Sequence, residues 1–241
     1  MRVERAKLKR ALMLASLDWT INPVVMNFTD KGIVSVNLDP TATVLTYMYA
    51  PPSFVTDYRP IGKVVMSERF HKVMSRLFKA DDFVELTIDE KEVVLKGSTE
   101  TYTMGREVLE REVPEVELQT TEFGVTLKKV PIDGVYEVEL MEIASVPIKD
   151  VVTVKVKGDL LAIITSIEEG RYEKRLRVTN VKKKMEEFCQ TYDGELLKKI
   201  ADVVEVPVNL VLSKEGPLQV VVPVPTLQAT VTYAIAPRVV T

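Results

Sequence analysis

One unit occurs twice along this chain, and that repetition does most to limit what the chain can fold into. The first copy reads SERFHKVMSRLFKADD and then FVELTIDEKEVVLKG; the second reads DGELLKKIADVVE and then VNLVLSKEGPLQVVV. In each, apolar residues recur first at helical spacing (Phe70, Val73, Met74 and Leu77; Leu196, Leu197 and Ile200) and then alternate at strand spacing (Val84, Leu86 and Ile88; Val208, Leu210 and Leu212). The unit is an amphipathic helix followed by a two-stranded hairpin, at 67–96 and again at 194–224, and its duplication predicts two similar domains. A duplicated fold with basic helices and strand edges suits assembly into a ring around something better than it suits an enclosed active site.

A chain of 241 residues accommodates two domains of ordinary size, each with its own core. Hydrophobic residues at 46% and charged residues at 28% describe a globular protein, rich in valine. No apolar run approaches the roughly 20 residues that span a bilayer. The opening segment, MRVERAKLKRALMLASLDWT, carries charge where a signal peptide would be apolar. The expectation is a protein without membrane association, cytoplasmic and associated with the nucleoid, or nuclear in a nucleated cell. One cysteine, Cys189, leaves no intrachain disulfide and is expected to be a buried small hydrophobe. Many Glu, Lys and Val beside few Asn and Gln point to a thermophile.

The formal net charge of −3 excludes a uniformly basic nucleic-acid binder but leaves room for local patches. Such patches recur at Arg5, Lys7, Lys9 and Arg10, at Lys72, Arg76 and Lys79, at Lys182 to Lys184, and at Lys198 and Lys199.

Periodicity predicts a helix over 4–17, a hairpin turning at Asp30-Lys31-Gly32, and a strand over 43–49 with Tyr47 and Tyr49 on one face. Beyond the first helix–hairpin unit, 99–104 reads as a strand. Residues 105–119, with Pro114, read as an extended connector between a domain at 1–104 and another at 120–241. The second domain opens with a strand in TEFGVTLKKV. A weak helix over VYEVELMEIASV follows, then strands in VVTVKV, LLAIITSI, YEKRLRVTN and KKMEEFCQTY, and a last strand after the second unit.

The sequence offers little for catalysis. His71 is the sole histidine, expected on a helix surface, so neither a His-based triad nor a multi-histidine metal site can form within one chain. Asp81-Asp82 and Glu186-Glu187 are adjacent pairs whose members point apart, and Gly62-Lys63 lacks the spaced glycines of a phosphate loop. A non-enzyme without metal or cofactor is expected.

Four stretches resemble the sliding clamps of archaeal and eukaryotic replication, the proliferating-cell nuclear antigen (PCNA) family. They are FTDKGIVSVNLDP at 28–40, FHKVMSRLFKADDFVELTI from Phe70, EVPEVEL at 112–118, and GPLQVVV followed by TYAIAPRV at 216–239. Their order spans nearly the whole chain. The resemblance implies an α+β fold of two similar clamp domains, each with helices on one face of antiparallel sheets, assembling into a closed three-subunit ring. It implies a processivity factor that encircles double-stranded DNA without reading sequence and is handled by a clamp loader. Such a clamp tethers DNA polymerase, flap nuclease and ligase through short anchor motifs. A sliding ring needs cations facing phosphates and no base-specific contact.

By the same resemblance, Arg5, Lys9, Arg10, Lys72, Arg76, Lys79, Lys198 and Lys199 face DNA. Leu38, Ala42, Thr43, Leu45, Val113, Pro114, Pro217, Ala234, Ile235, Ala236 and Pro237 form the partner pocket. Strands near 98–104 and 172–179 close the ring. The glutamates of the weak helix, Glu139 and Glu142, stand where the family often has Lys or Arg, which favours a heterotrimer over a homotrimer. The competing functions are a clamp-like checkpoint or virus-encoded ring subunit, and a structural assembly protein that binds no DNA.

Overall fold

The structure is a computed structural model that describes residues 1–107, 115–168 and 170–238. The chain divides into two compact units. The first holds Met1–Asp39, the stretch from Thr46 into the connector, and Val224–Ala229; the second holds Pro40–Leu45, Glu115–Pro223 and the chain from Thr230 onward.

In the first unit, β1 (Arg2–Glu4) leads directly into α1 (Arg5–Ser16). Leu8, Ala11, Leu12 and Ala15 form the buried stripe of α1. The helix stops in a run of three left-handed residues, Leu17, Asp18 and Trp19, with φ of 49°, 49° and 63°. The Ser16 hydroxyl holds this turn by accepting from the Trp19 amide at 2.9 Å. Strands β2 (Val24–Thr29), β3 (Gly32–Leu38), β4 (Val44–Ala50) and β5 (Gly62–Met66) form a sheet in the order β4-β3-β2-β5. The two-residue turn Asp30-Lys31 ends at Gly32, whose φ of 133° and close approach to the Ala50 carbonyl exclude a side chain. Helix α2 (Glu68–Leu77) follows, burying Phe70 and Met74. A second sheet, β1-β6-β7-β8, uses β6 (Phe83–Ile88), β7 (Glu92–Lys96) and β8 (Thr101–Gly105). The turn between β6 and β7 is fixed by Asp89, whose carboxylate accepts from the amides of Lys91 and Glu92, both at 2.8 Å.

The second unit begins with a separate ribbon, β9 (Leu118–Thr121) and β10 (Gly124–Leu127). Then come β11 (Gly134–Glu139), the short α3 (Met141–Ala144), β12 (Val151–Lys157), β13 (Leu160–Ile167), β14 (Gly170–Arg175), β15 (Val178–Lys183) and β16 (Glu187–Asp193). Helix α4 (Gly194–Val203) and strands β17 (Pro207–Leu212), β18 (Leu218–Val224) and β19 (Ala229–Ile235) complete it. One sheet runs β15-β11-β17-β18-β19 and the other β14-β13-β12-β16. Helix α4 packs on β12 and β16 and against α3. Val152, Val154 and Val156 of β12 are fully buried, as period-2 alternation requires.

The β9–β10 ribbon is tied to the five-stranded sheet by side chains that grip its backbone. Asn209 Nδ2 donates to the Phe123 carbonyl at 3.2 Å, Gln219 Oε1 accepts from the Leu127 amide at 2.8 Å, and Thr232 Oγ1 donates to the Val125 carbonyl at 2.6 Å. Phe123 and Ile132 pack on Val135, Val211 and Val221.

Four expectations need correction. The first half of the weak helix expected over 135–146 is strand β11, because the buried Val135, Tyr136 and Val138 and the alternating Glu137 and Glu139 pair with β17; only Met141–Ala144 is helical. The run 172–180 is two strands in different sheets, β14 and β15, broken at Leu176-Arg177. TEFGVTLKKV turns at Glu122-Phe123 and pairs back on Leu118–Thr121, a strand that begins within the expected connector. Cys189 is exposed: Phe188 and Tyr192 face the core, so strand parity turns the thiol to the opposite face.

Candidate nucleic-acid interface and partner groove

The basic residues are placed by three helices. On α1, the Arg5 Nε–H donates to the Asp81 carbonyl at 2.8 Å, which ties the start of α1 to the turn before β6; Lys9 and Arg10 follow one turn later, half-buried. The Asp81 carboxyl is held below its usual range by hydrogen bonds from Ser98. On α2, Lys72 pairs with Glu68 one turn earlier at 2.8 Å, and Arg76 is exposed. Lys79 is exposed too but lies beyond the last residue of α2, so it does not share a helical face with the other two. On α4, Lys198 is half-buried and Lys199 exposed.

Lys72 and Arg76 line a cleft of about 460 Å³ with Asn22, Ser67, Glu68, Arg69 and Val73. Arg69 was not among the expected site residues, although its i, i+3, i+7 relation to Lys72 and Arg76 places it on their stripe. The Asn22 side-chain Oδ1 accepts from the Glu68 amide at 3.1 Å, joining the chain after α1 to the start of α2.

His71 lies between these cations rather than on a free surface. Its ring is 5.3 Å from that of Trp19, and its Nε2 is buried, as are Trp19 Nε1 and Ser75 Oγ. Burial, then the nearby Lys9 charge, pushes the imidazole below its ordinary value, so it is neutral at pH 7.

The expected pocket residues divide. In the second unit the Ala236 amide donates to the Thr43 carbonyl at 2.8 Å, bringing the segment after β19 against residues 42–45. Thr43, Leu45 and Ala236 are half-buried there, Ala42 and Pro237 are exposed, and Ala234 is buried. Pro217, half-buried, follows Gly216, which packs against Val130. Ile235 has an exposure of 0%, on the same face of β19 as the buried Val231 and Tyr233. Leu38, in the first unit, is half-buried at the end of β3. Val113 and Pro114 lie outside the described residues.

Among the described residues, one sheet of the first unit ends in β8 and one of the second in β14, each without a strand on its outer side. Of the two glutamates expected to oppose the basic helices, Glu142 has a local partner and Glu139 is exposed. Glu137 pairs with Lys182 at 3.3 Å, and a Glu142 carboxylate oxygen accepts from the Arg177 amide at 2.9 Å. The lysine run 182–184 is likewise engaged, Lys183 on the Ile132 carbonyl and Lys184 on Asp159 at 2.7 Å. Among the described residues, no group of three or more His, Cys, Asp or Glu could hold a metal ion, and no helix is long and apolar enough to cross a membrane.

Two α+β units, each with a helix–hairpin and antiparallel sheets, define the sliding-clamp fold, and solved structures similar to this chain include PCNA clamps. A. fulgidus PCNA, solved with the C-terminal region of FEN-1 bound, matches at a TM-score of 0.78 and 15% identity, over 100% of this chain and 98% of that one. PCNA from Thermococcus kodakaraensis matches at 0.77 and 18%, over 99% of each chain. A chain of the PCNA2–PCNA3 complex from Sulfolobus tokodaii matches at 0.75 and 17%, again over 99% of each. No protein-family model and no curated protein sequence matches the chain.

Proposed function

We propose that the chain is a subunit of a DNA sliding clamp of the PCNA family, a processivity factor that closes as a three-subunit ring around duplex DNA. The observation that carries this reading is the agreement of the whole fold with PCNA clamps over nearly the full length of both chains. Two further features support it. Cations recur on α1, α2 and α4, with an overall negative charge that leaves the remaining surface acidic. The open strands β8 and β14 are of the kind that head-to-tail assembly pairs, which removes exposed edges.

On this reading Arg5, Lys9, Arg10, Lys72, Arg76, Lys79, Lys198 and Lys199, with Arg69 added, face phosphates. Thr43, Leu45, Pro217, Ala234, Ala236 and Pro237 bound the groove that takes partner anchor motifs. The partners are a clamp loader, DNA polymerase, ligase and a flap nuclease, the last in keeping with the FEN-1 segment on the A. fulgidus protein. The ring contains three copies of this chain or this chain with related subunits. Glu139 is exposed and the hydrogen bond that Glu142 accepts comes from the neutral Arg177 amide, so the charge argument for related subunits still supports a heteromeric ring.

The test is topological. Loaded on nicked circular plasmid by its clamp loader, the protein is expected to stay bound in high salt and to be lost when the circle is linearised, since a ring slides off an end. Release from intact circles at the same rate as from linear DNA would overturn the reading. Light scattering of the purified protein, alone and with related subunits, fixes the ring's composition.

A further inference from the structure

We propose that Arg238 is a positioning residue for the partner groove, a clamp that holds the segment 236–238 in the conformation an anchor motif meets. The proposal rests on the clamp reading above, but the geometry that suggests it is independent of that reading. The guanidinium forks over two carboxylates: one terminal nitrogen donates to Asp150 Oδ1 at 3.1 Å and the other to Asp193 Oδ2 at 2.5 Å. A planar fork held by two acceptors fixes direction as well as distance, which a lysine ammonium would not.

The backbone of the same segment is bonded along its length. The Ala236 amide donates to the Thr43 carbonyl and the Arg238 amide to the Thr191 carbonyl, both at 2.8 Å, while Pro237 forms a bridge with Tyr192 of β16. The three residues therefore cross from Thr43 to the edge of β16, and Arg238 anchors the far end. Asp193 also caps α4, accepting from the Leu196 amide at 3.0 Å through its other oxygen. One carboxylate thus joins the segment beside Thr43 to the start of a helix that carries Lys198 and Lys199. Its side-chain exposure of 14%, against 76% for Asp150, makes Asp193 the more firmly held partner.

Arg238 does not itself line the groove. Its effect is preorganisation: with the clamp intact the groove's edge is already ordered when a partner arrives, and without it that ordering cost falls on binding.

The experiment measures affinity for a labelled synthetic peptide carrying an aromatic-anchored clamp-binding motif, with amide hydrogen exchange over residues 234–238 on the same samples. Arg238→Ala is expected to weaken the peptide by about three- to tenfold, to speed exchange of the Ala236 amide, and to leave the melting temperature nearly unchanged because the Asp193 cap survives. Asp150→Asn, which keeps that cap, should give a smaller loss in the same direction, and the difference between wild type and Arg238→Ala should shrink in high salt. If wild type binds the peptide and both variants bind equally well, the positioning role is overturned and the clamp reading stands. If wild type itself does not bind, both are overturned.

Discussion

The pairing of Lys72 with Glu68 makes the basic stripe of α2 testable in both directions. Each phosphate neutralised contributes about 0.9 to the slope of log affinity against log salt, so one lost contact is worth roughly 3.5-fold over a fourfold range of salt. Arg76 is exposed and has no ion pair among the described residues within 4.0 Å, so Arg76→Gln should reduce the slope by about 1 for each subunit whose α2 touches the duplex. Lys72 must leave Glu68 before it meets a phosphate. An exposed i, i+4 pair is worth about 0.3–0.5 kcal/mol, a factor of about two, so Lys72→Gln should cost less than Arg76→Gln. Glu68→Gln should raise DNA affinity about twofold by freeing Lys72. The same substitution removes an acidic residue from the first turn of α2, which lowers stability by about 0.3–1 kcal/mol. Affinity and stability then move in opposite directions, which no general loosening of the fold would produce. The assay is fluorescence anisotropy of a labelled duplex between about 50 and 200 mM salt, with melting curves on the same samples. Unchanged slope in Arg76→Gln, or weaker binding in Glu68→Gln, would refute the assignment of this stripe to phosphate contact.

Three further outcomes follow from other parts of the molecule. His71 is held below its ordinary value by burial and Lys9, with Lys72 adding to this and Asp18 and Glu68 opposing it, so the unfolded chain binds its proton more readily. Stability should therefore fall as pH drops below about 6.5, and His71→Leu should flatten the urea midpoint between about pH 5 and 7; an unaltered profile would place the titrating group elsewhere. Ile235→Ser should destabilise the fold by about 3 kcal/mol, whereas Leu45→Ser, at a half-buried position, should weaken anchor-peptide binding in a protein that still melts cooperatively; the reverse pattern in thermal melts and peptide titrations would exchange their roles. Gln219→Ala should leave the Leu127 amide without its acceptor, cost about 1–3 kcal/mol and speed amide exchange over 118–127 before the rest of the second unit.

The repeated helix–hairpin was legible because its signal is local: Phe70 and Met74 lie four residues apart on one helix, and Val84 and Leu86 alternate on one strand. The strand parity of Cys189 was present too, since Phe188 and Tyr192 mark the core face, but a free cysteine's general tendency to be buried pointed the other way. The alternation in β11 was masked by the helix-favouring glutamates Glu137 and Glu139 and by Glu142 just beyond it; the partners of Glu137 and Glu142, Lys182 and the Arg177 amide, stand some forty residues away in the sequence. No glycine or proline marks the break at Leu176-Arg177, so two strands read as one. Arg238 could not be assigned a role from spacing at all, because Asp150 and Asp193 reach it only after β12, β16 and α4 have formed.

The ribbon β9–β10 is gripped by Asn209, Gln219 and Thr232 through its carbonyls and an amide, groups that every non-proline residue carries. Such a grip is blind to the ribbon's side chains. Mutational drift in the outward positions of 118–127 should therefore be tolerated freely, provided Phe123 keeps an apolar contact and Gly124 keeps its open backbone at φ of 122°. The three sheet positions beneath bear the opposite burden, since replacing any one of them releases a peptide group whichever residue carries it. The ribbon can thus acquire new surface chemistry quickly while staying in place, and related chains should differ most where this one is held most firmly by its backbone.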